Sequence, residues 1–142
     1  MTTMTPEVAA PAAVPHAVAH TSHRIVARAV AAVGLLGIGL IHLLDLPGKI
    51  KETPYLGVAY ILLIIGTLVA SAWLAVRDDR RAWVLGGALA ALTLVGYVVN
   101  RTVGMPGAMD DVGNWLEPLG LASLFVEALV VILSGFVLAN RA

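Results

Sequence analysis

Four long apolar stretches occupy this chain, at about residues 25–46, 55–76, 82–103 and 116–139. Each approaches the ~20 residues an α-helix needs to cross the hydrocarbon of a bilayer. A soluble domain of 142 residues cannot hide four such segments, because the polar side chains left over cover too little surface. The expected fold is therefore an all-α membrane protein, a four-transmembrane-helix antiparallel bundle. Residues 24–142 form the transmembrane domain on this reading.

Composition narrows the function classes. Charged residues make up only 13% of the chain and the formal net charge is zero, which leaves no basic surface for nucleic acid. There is no cysteine, so disulfides, thiolate metal sites and thiol redox chemistry are excluded. Residues 1–23 differ in character: they are rich in Ala, Pro and Thr, with Pro6, Pro11 and Pro15 breaking any long helix. They read as a disordered cytoplasmic arm. The basic residues Arg24 and Arg28 come too late, and the apolar segment after them runs too long, for a cleaved secretory signal.

Orientation follows from the basic residues. Arg24, Arg28, Arg77, Arg80, Arg81 and Arg141 fall on one side of the spans, against Lys49, Lys51 and Arg101 on the other. The excess marks the first side as cytoplasmic, so both termini are expected inside a multi-pass cell-membrane protein. Trp73 and Trp83 fall at the expected inner boundary, and Tyr55 and Trp115 at the outer one, as an interfacial belt requires. The RDDRR run at 77–81 reads as a tight inner turn, and LPGKIKETP at 46–54 as the end of the first helix. The spans share no repeat that would support an inverted-repeat transporter within one chain, although a second copy could supply the other half.

Ionisable side chains within a span are costly and face the bundle interior or water. At ~100° per residue, Gly120, Ser123, Glu127 and Ser134 share one stripe of the fourth span. Thr93, Tyr97, Asn100 and Arg101 share one stripe of the third, Tyr60, Thr67 and Ser71 one of the second, and His42 and Asp45 one of the first. Inward-facing stripes place Glu127 near mid-bilayer, at the depth of Thr67 and Thr93. The expected result is a polar pocket of His42, Asp45, Tyr97, Asn100, Arg101, Glu117 and Glu127. It opens outward and is closed by apolar residues on the cytoplasmic half.

Each of these residues also has a structural role open to it. Arg101 and Glu117 near helix ends can snorkel to the headgroups. Asp45 can cap a turn before Pro47, and His42 can be an interhelical hydrogen-bonder. Glu127 is harder to absorb, because a mid-depth carboxyl must be protonated or paired. Gly34, Gly37, Gly39, Gly86 and Gly87 suit close helix packing. His16, His20 and His23 lie at spacings of four and three. That puts three imidazoles on one helical face, a weak candidate metal site with no nearby carboxylate to orient it.

The late His42 of the first span, the RTVGMPG run at 101–107 and the EPLGLA run at 117–122 resemble those of small four-span integral membrane proteins of actinobacterial type. The resemblance covers most of residues 25–139. It implies a four-helix bundle in which His42, Arg101 and Glu117 belong together, and it carries no catalytic role.

Three function classes remain. The first is binding or transport of a small molecule or ion in the outward pocket, with the lipid bilayer and a homo-oligomer or partner membrane protein around it. The second is an accessory or structural subunit whose polar stripes bind a partner helix. The third is a membrane enzyme or redox protein. A bis-His haem needs two axial ligands, and His42 is the single histidine inside a span. A Ser–His–Asp arrangement has only Ser123 at a depth near His42. The sequence names no cofactor.

Overall fold

The computed structural model describes residues 16–141, with side chains described from residue 22 onward. Among them, four α-helices follow one another: α1 His16–Glu52, α2 Pro54–Val76, α3 Arg80–Thr102 and α4 Pro118–Ala139. Each is long and apolar enough to cross a membrane, so the chain is an all-α bundle with four candidate spans. Two ends of the bundle are defined by contacts. Arg24 and Arg141 both pair with Asp78, which brings the start of α1, the α2–α3 link and the C-terminal segment together at one end. At the opposite end, Tyr55 donates to the Pro106 carbonyl at 2.8 Å and Thr53 to the Gly107 carbonyl at 3.3 Å. The α1–α2 and α3–α4 connections meet there. We call these the termini end and the loop end.

The helix limits fall close to the sequence expectation for α2, α3 and α4, and depart from it for α1. That helix begins at His16, so residues 16–23 are helical rather than part of an irregular arm. Residues 1–15 lie outside the described residues. At its other end α1 runs through Pro47 to Glu52, whereas the Pro-Gly pair was expected to end it. Proline removes the hydrogen bond to the carbonyl four residues earlier and crowds that carbonyl, and spanning helices tolerate both where neighbouring elements support them. Here Lys49 is held to the α3–α4 connection through Asp111 at 3.1 Å. The chain then reverses at the single residue Thr53, whose N–H donates to the Lys49 carbonyl at 2.9 Å, with Pro54 opening α2. Proline suits a first helical position, where its missing N–H is no loss.

The reversal demands small side chains. A Cβ on Gly57 would stand 2.6 Å from Cγ1 and 2.9 Å from Cα of Ile50, so only glycine lets α2 begin this close to α1. Gly104 closes α3 with a φ of +84° and donates to the Val99 carbonyl at 3.1 Å; only glycine adopts that conformation without strain.

Packing divides the bundle lengthwise. In the termini half, Leu35, Ile38, Leu74, Trp83 and Val130 are fully buried in one apolar cluster. Helices approach closely where glycines were expected to allow it: Gly34 faces Val130, Gly86 faces Leu35 and Gly39 faces Thr67. Two polar anchors finish this half. Ser71 donates to the Ala32 carbonyl of α1 at 2.9 Å, and Arg28 donates to the Leu74 and Ala75 carbonyls, satisfying the frayed end of α2. Helix α1 packs chiefly on α2 and α4, and α3 on α4; the α2–α3 seam is the sparser one.

Candidate functional site

The loop half holds a cavity of about 460 Å³ between all four helices. All seven residues of the expected pocket line it: His42, Asp45, Tyr97, Asn100, Arg101, Glu117 and Glu127. The period of ~3.6 residues per turn explains this convergence, because each stripe turns toward the axis once its helix is packed. The cavity is not wholly polar. Leu56 and Leu63 of α2, Leu92 of α3 and Leu119 of α4 give it an apolar wall.

The roof is an ion network. Arg101 is only 6% exposed and does not snorkel. One of its terminal nitrogens donates to Asp111 Oδ1 at 2.7 Å and to the Asp111 carbonyl at 3.1 Å, the other to Glu117 Oε2 at 3.4 Å. Asp111 also accepts from Lys49 at 3.1 Å and from Asn100 at 2.9 Å. Burial raises the cost of ionising Asp111. The bonds from Asn100, Lys49 and Arg101 outweigh it and hold the carboxyl below the usual carboxylate range. Glu117 caps α4, accepting from the Leu119 and Gly120 N–H groups at 3.2 and 2.9 Å. An acid there also offsets the positive end of the helix dipole. Gly120 leaves room for Tyr97, whose hydroxyl would stand 2.7 Å from a Cβ at that position. The Tyr97 ring in turn lies 5.0 Å beneath the Arg101 guanidinium.

Below the roof, His42 and Asp45 occupy the α1 side. His42 Nδ1 is 2.9 Å from the Ile38 carbonyl of its own helix, so its hydrogen bond is intrahelical and not the interhelical one expected. A carbonyl can only accept, so Nδ1 carries the proton of the neutral ring and Nε2 is left as an acceptor. The ring meets Tyr60 edge-on at 4.7 Å. Asp45 lies within α1 and accepts from the Tyr60 hydroxyl at 3.3 Å; it caps no turn. Deepest is Glu127, with no exposed surface. Ser123 Oγ lies 2.5 Å from its Oε1, while Oε2 has no hydrogen-bond partner. Asn100 Oδ1, Tyr97 Oη and Arg101 Nε also lack one.

Some stripe members point elsewhere. Thr67 is buried against Gly39 at the α1–α2 contact and bonds the Ile64 carbonyl at 3.0 Å, so it does not reach the cavity. Ser134 faces Gly87 near the termini end. Ser123 is committed to Glu127 and His42 Nδ1 to a backbone carbonyl, so these residues assemble no Ser–His–Asp relay. Among the described residues, no three His, Cys, Asp or Glu side chains gather to hold a metal ion. The side chains of His16 and His20 lie outside the described residues, and His23 is exposed.

Sequence reasoning missed Lys49, Tyr60 and Asp111 as parts of this site. Charge balance carried the signal for Asp111. An arginine turned inward needs a carboxylate within reach, and the Asp110–Asp111 pair of the long connection was the nearest supply in sequence. No protein-family model, curated protein or solved structure matches this chain.

Proposed function

We propose that this chain is a cell-membrane protein that binds a small molecule or ion in the cavity of its loop half, with that half facing outward. The observation that carries the reading is a set of buried, unpartnered polar atoms on residues that line one cavity: Glu127 Oε2, Asn100 Oδ1, Tyr97 Oη and Arg101 Nε. Buried polar atoms without partners cost about 1–3 kcal/mol each, and a chain keeps such a set where a ligand completes it. The volume lies within the ~300–1,000 Å³ of ordinary ligand pockets. The basic residues of the termini end support the outward placement of the loops.

An accessory subunit fits less well. Its polar stripes would have to face a partner helix across the lipid boundary, whereas His42, Arg101, Ser123 and Glu127 are buried within the bundle. The resemblance to small actinobacterial four-span proteins is compatible with either role.

Gly96 offers the test. It lines the cavity, and a Cβ there meets nothing within 4 Å, so the first atom of a phenylalanine side chain enters without a clash and Gly96→Phe is expected to occupy the space. Native mass spectrometry of protein released from lipid should find a small molecule retained by the wild type and lost from the variant. Equal occupancy in the two, or a wild type that carries nothing and is stabilised by no compound in a thermal-shift screen, overturns the reading.

A further inference from the structure

Charges around the cavity do not balance. Lys49 and Arg101 line it, against Asp45, Asp111, Glu117 and Glu127. Both cations are already engaged: Lys49 pairs with Asp111, and Arg101 with Asp111 and Glu117. Two carboxyls are left without a basic partner at ion-pair distance. Asp45 holds the Tyr60 hydroxyl, and Glu127 holds the Ser123 hydroxyl. The other titratable groups around the cavity are His42 of α1, Tyr60 of α2 and Tyr97 of α3, and none carries a permanent positive charge.

An unmatched carboxylate at this depth is expensive. Glu127 lies ten positions into α4, and at ~1.5 Å per residue that is roughly half of the ~30 Å hydrocarbon thickness. The group therefore holds either a proton or a cation. Three features say which cation. A transition-metal site lacks its third ligand, because no three His, Cys, Asp or Glu side chains gather among the described residues. An anion is opposed by the excess of carboxyls, since Lys49 and both terminal nitrogens of Arg101 are engaged and Arg101 Nε is the one donor of the two left over. The Tyr60 and Tyr97 rings also line the cavity, beside apolar Leu56, Leu63 and Leu92. Aromatic faces attract organic cations, and aliphatic side chains receive their substituents.

We infer that the ligand of this cavity is a monovalent, lipophilic organic cation of the ammonium type, and that Glu127 releases a proton when the cation takes its place. The inference rests on the binding role proposed above and names its ligand class. In the exchange, the O–H bond of the Glu127 carboxyl breaks and its electron pair stays on oxygen. The carboxylate pairs with the incoming cation, and the proton leaves to water. Nothing is oxidised or reduced. Ser123 keeps its hydrogen bond to Oε1 in both states, which leaves Oε2 as the exchanging atom.

Benzyltrimethylammonium tests this directly, because it has no proton to give. Its uncharged carbon isostere, neopentylbenzene, reports on the cavity alone. Calorimetry on the purified full chain, in buffers of different ionisation enthalpy, should show the cation binding with release of up to one proton. Affinity should rise by about tenfold per pH unit while Glu127 is protonated. Glu127→Gln should weaken the cation more than tenfold and abolish proton release, with the isostere unaffected, and Glu127→Asp should restore both. Cation binding by the wild type without proton release at any pH overturns the inference, whether or not the Gln variant folds. So does equal cation affinity in wild type and Glu127→Gln. If the isostere binds and the cation does not, the ligand class is wrong and the binding role stands. If neither binds, the inference falls, and the Gly96→Phe comparison decides the binding role separately.

Discussion

Removing the Asp111 carboxylate should loosen the loop end by a measurable and pH-dependent amount. Asp111 ties three elements together: Lys49 from α1 at 3.1 Å, and Asn100 and Arg101 from α3 at 2.9 and 2.7 Å, all joined to the connection that carries it. Breaking a buried charge pair by deleting one partner costs about 3–5 kcal/mol. Two features reduce that here. The Asp111 side chain retains 20% exposure, and Arg101 keeps both Glu117 and a backbone carbonyl. Asp111→Ala should therefore cost about 2–3 kcal/mol, and Asp111→Asn about 1–2 kcal/mol because it keeps an oxygen for the donors. The pH dependence has a definite sign. The folded carboxyl sits below its ordinary value, so its contribution is present above the unfolded value of about 3.9 and lost as pH falls through the folded one. Unfolding from detergent, followed by circular dichroism, should show a gap between wild type and Asp111→Asn that is constant between about pH 7 and 5 and closes below about pH 4. A gap below about 0.5 kcal/mol at neutral pH, or one that persists unchanged in acid, refutes the latch.

Two further outcomes check the packing and the orientation. Gly57→Ala pushes a methyl against the Ile50 backbone and should destabilise by about 1–3 kcal/mol. Gly48→Ala, with nothing within 4 Å of its Cβ inside α1, should stabilise by about 0.5–1 kcal/mol, and denaturation of the pair separates crowding from helix propensity. Because the chain has no cysteine, Asn114→Cys and Arg80→Cys give clean accessibility probes. A membrane-impermeant maleimide added to whole cells should label the first and reach the second only after permeabilisation, and the reverse pattern inverts the proposed orientation.

The bundle was legible because apolar length and helical period act locally. A run of twenty apolar residues has few alternatives, and a stripe such as Thr93, Tyr97, Asn100 and Arg101 fixes which face turns inward whatever the partner. What stayed hidden depends on contacts between elements. Pro47 reads as a stop, yet α1 continues past it because Lys49 is fastened to Asp111 on the far connection. Asp111 itself carries no periodic signal, since it lies in the short 3₁₀ turn Met109–Asp111. Its neighbour Asp110 is exposed while Asp111 is half-buried, and nothing local distinguishes the two. Thr67 shows the opposite error. Its stripe faces inward as expected, but a glycine at 39 draws α2 so close to α1 that the hydroxyl is enclosed before it reaches the cavity.

The division of the bundle bears on whether binding extends to transport. Between Glu127 and the termini end stand Leu35, Ile38, Leu74, Trp83 and Val130, each at most 1% exposed. Close packing of this kind does not deform by small degrees. Opening it would separate α1 from α4 where Gly34 meets Val130, and α3 from α1 where Gly86 meets Leu35. The same motion would strip Asp78 of its partners, because the Asp78 carboxylate is shared by Arg24, Arg141 and the Trp83 indole. The roof at the loop end is different: it is polar, partly exposed and held by the side chains of a connection rather than by interlocked helices. The two gates are therefore unequal. On the proposed reading, a ligand would exchange through the loop end by breaking bonds that water can replace, while passage to the other side would require a second packing of the apolar half. A cation taken up at Glu127, as inferred above, would then equilibrate with the loop side, and its proton would return to that same side unless such a packing exists.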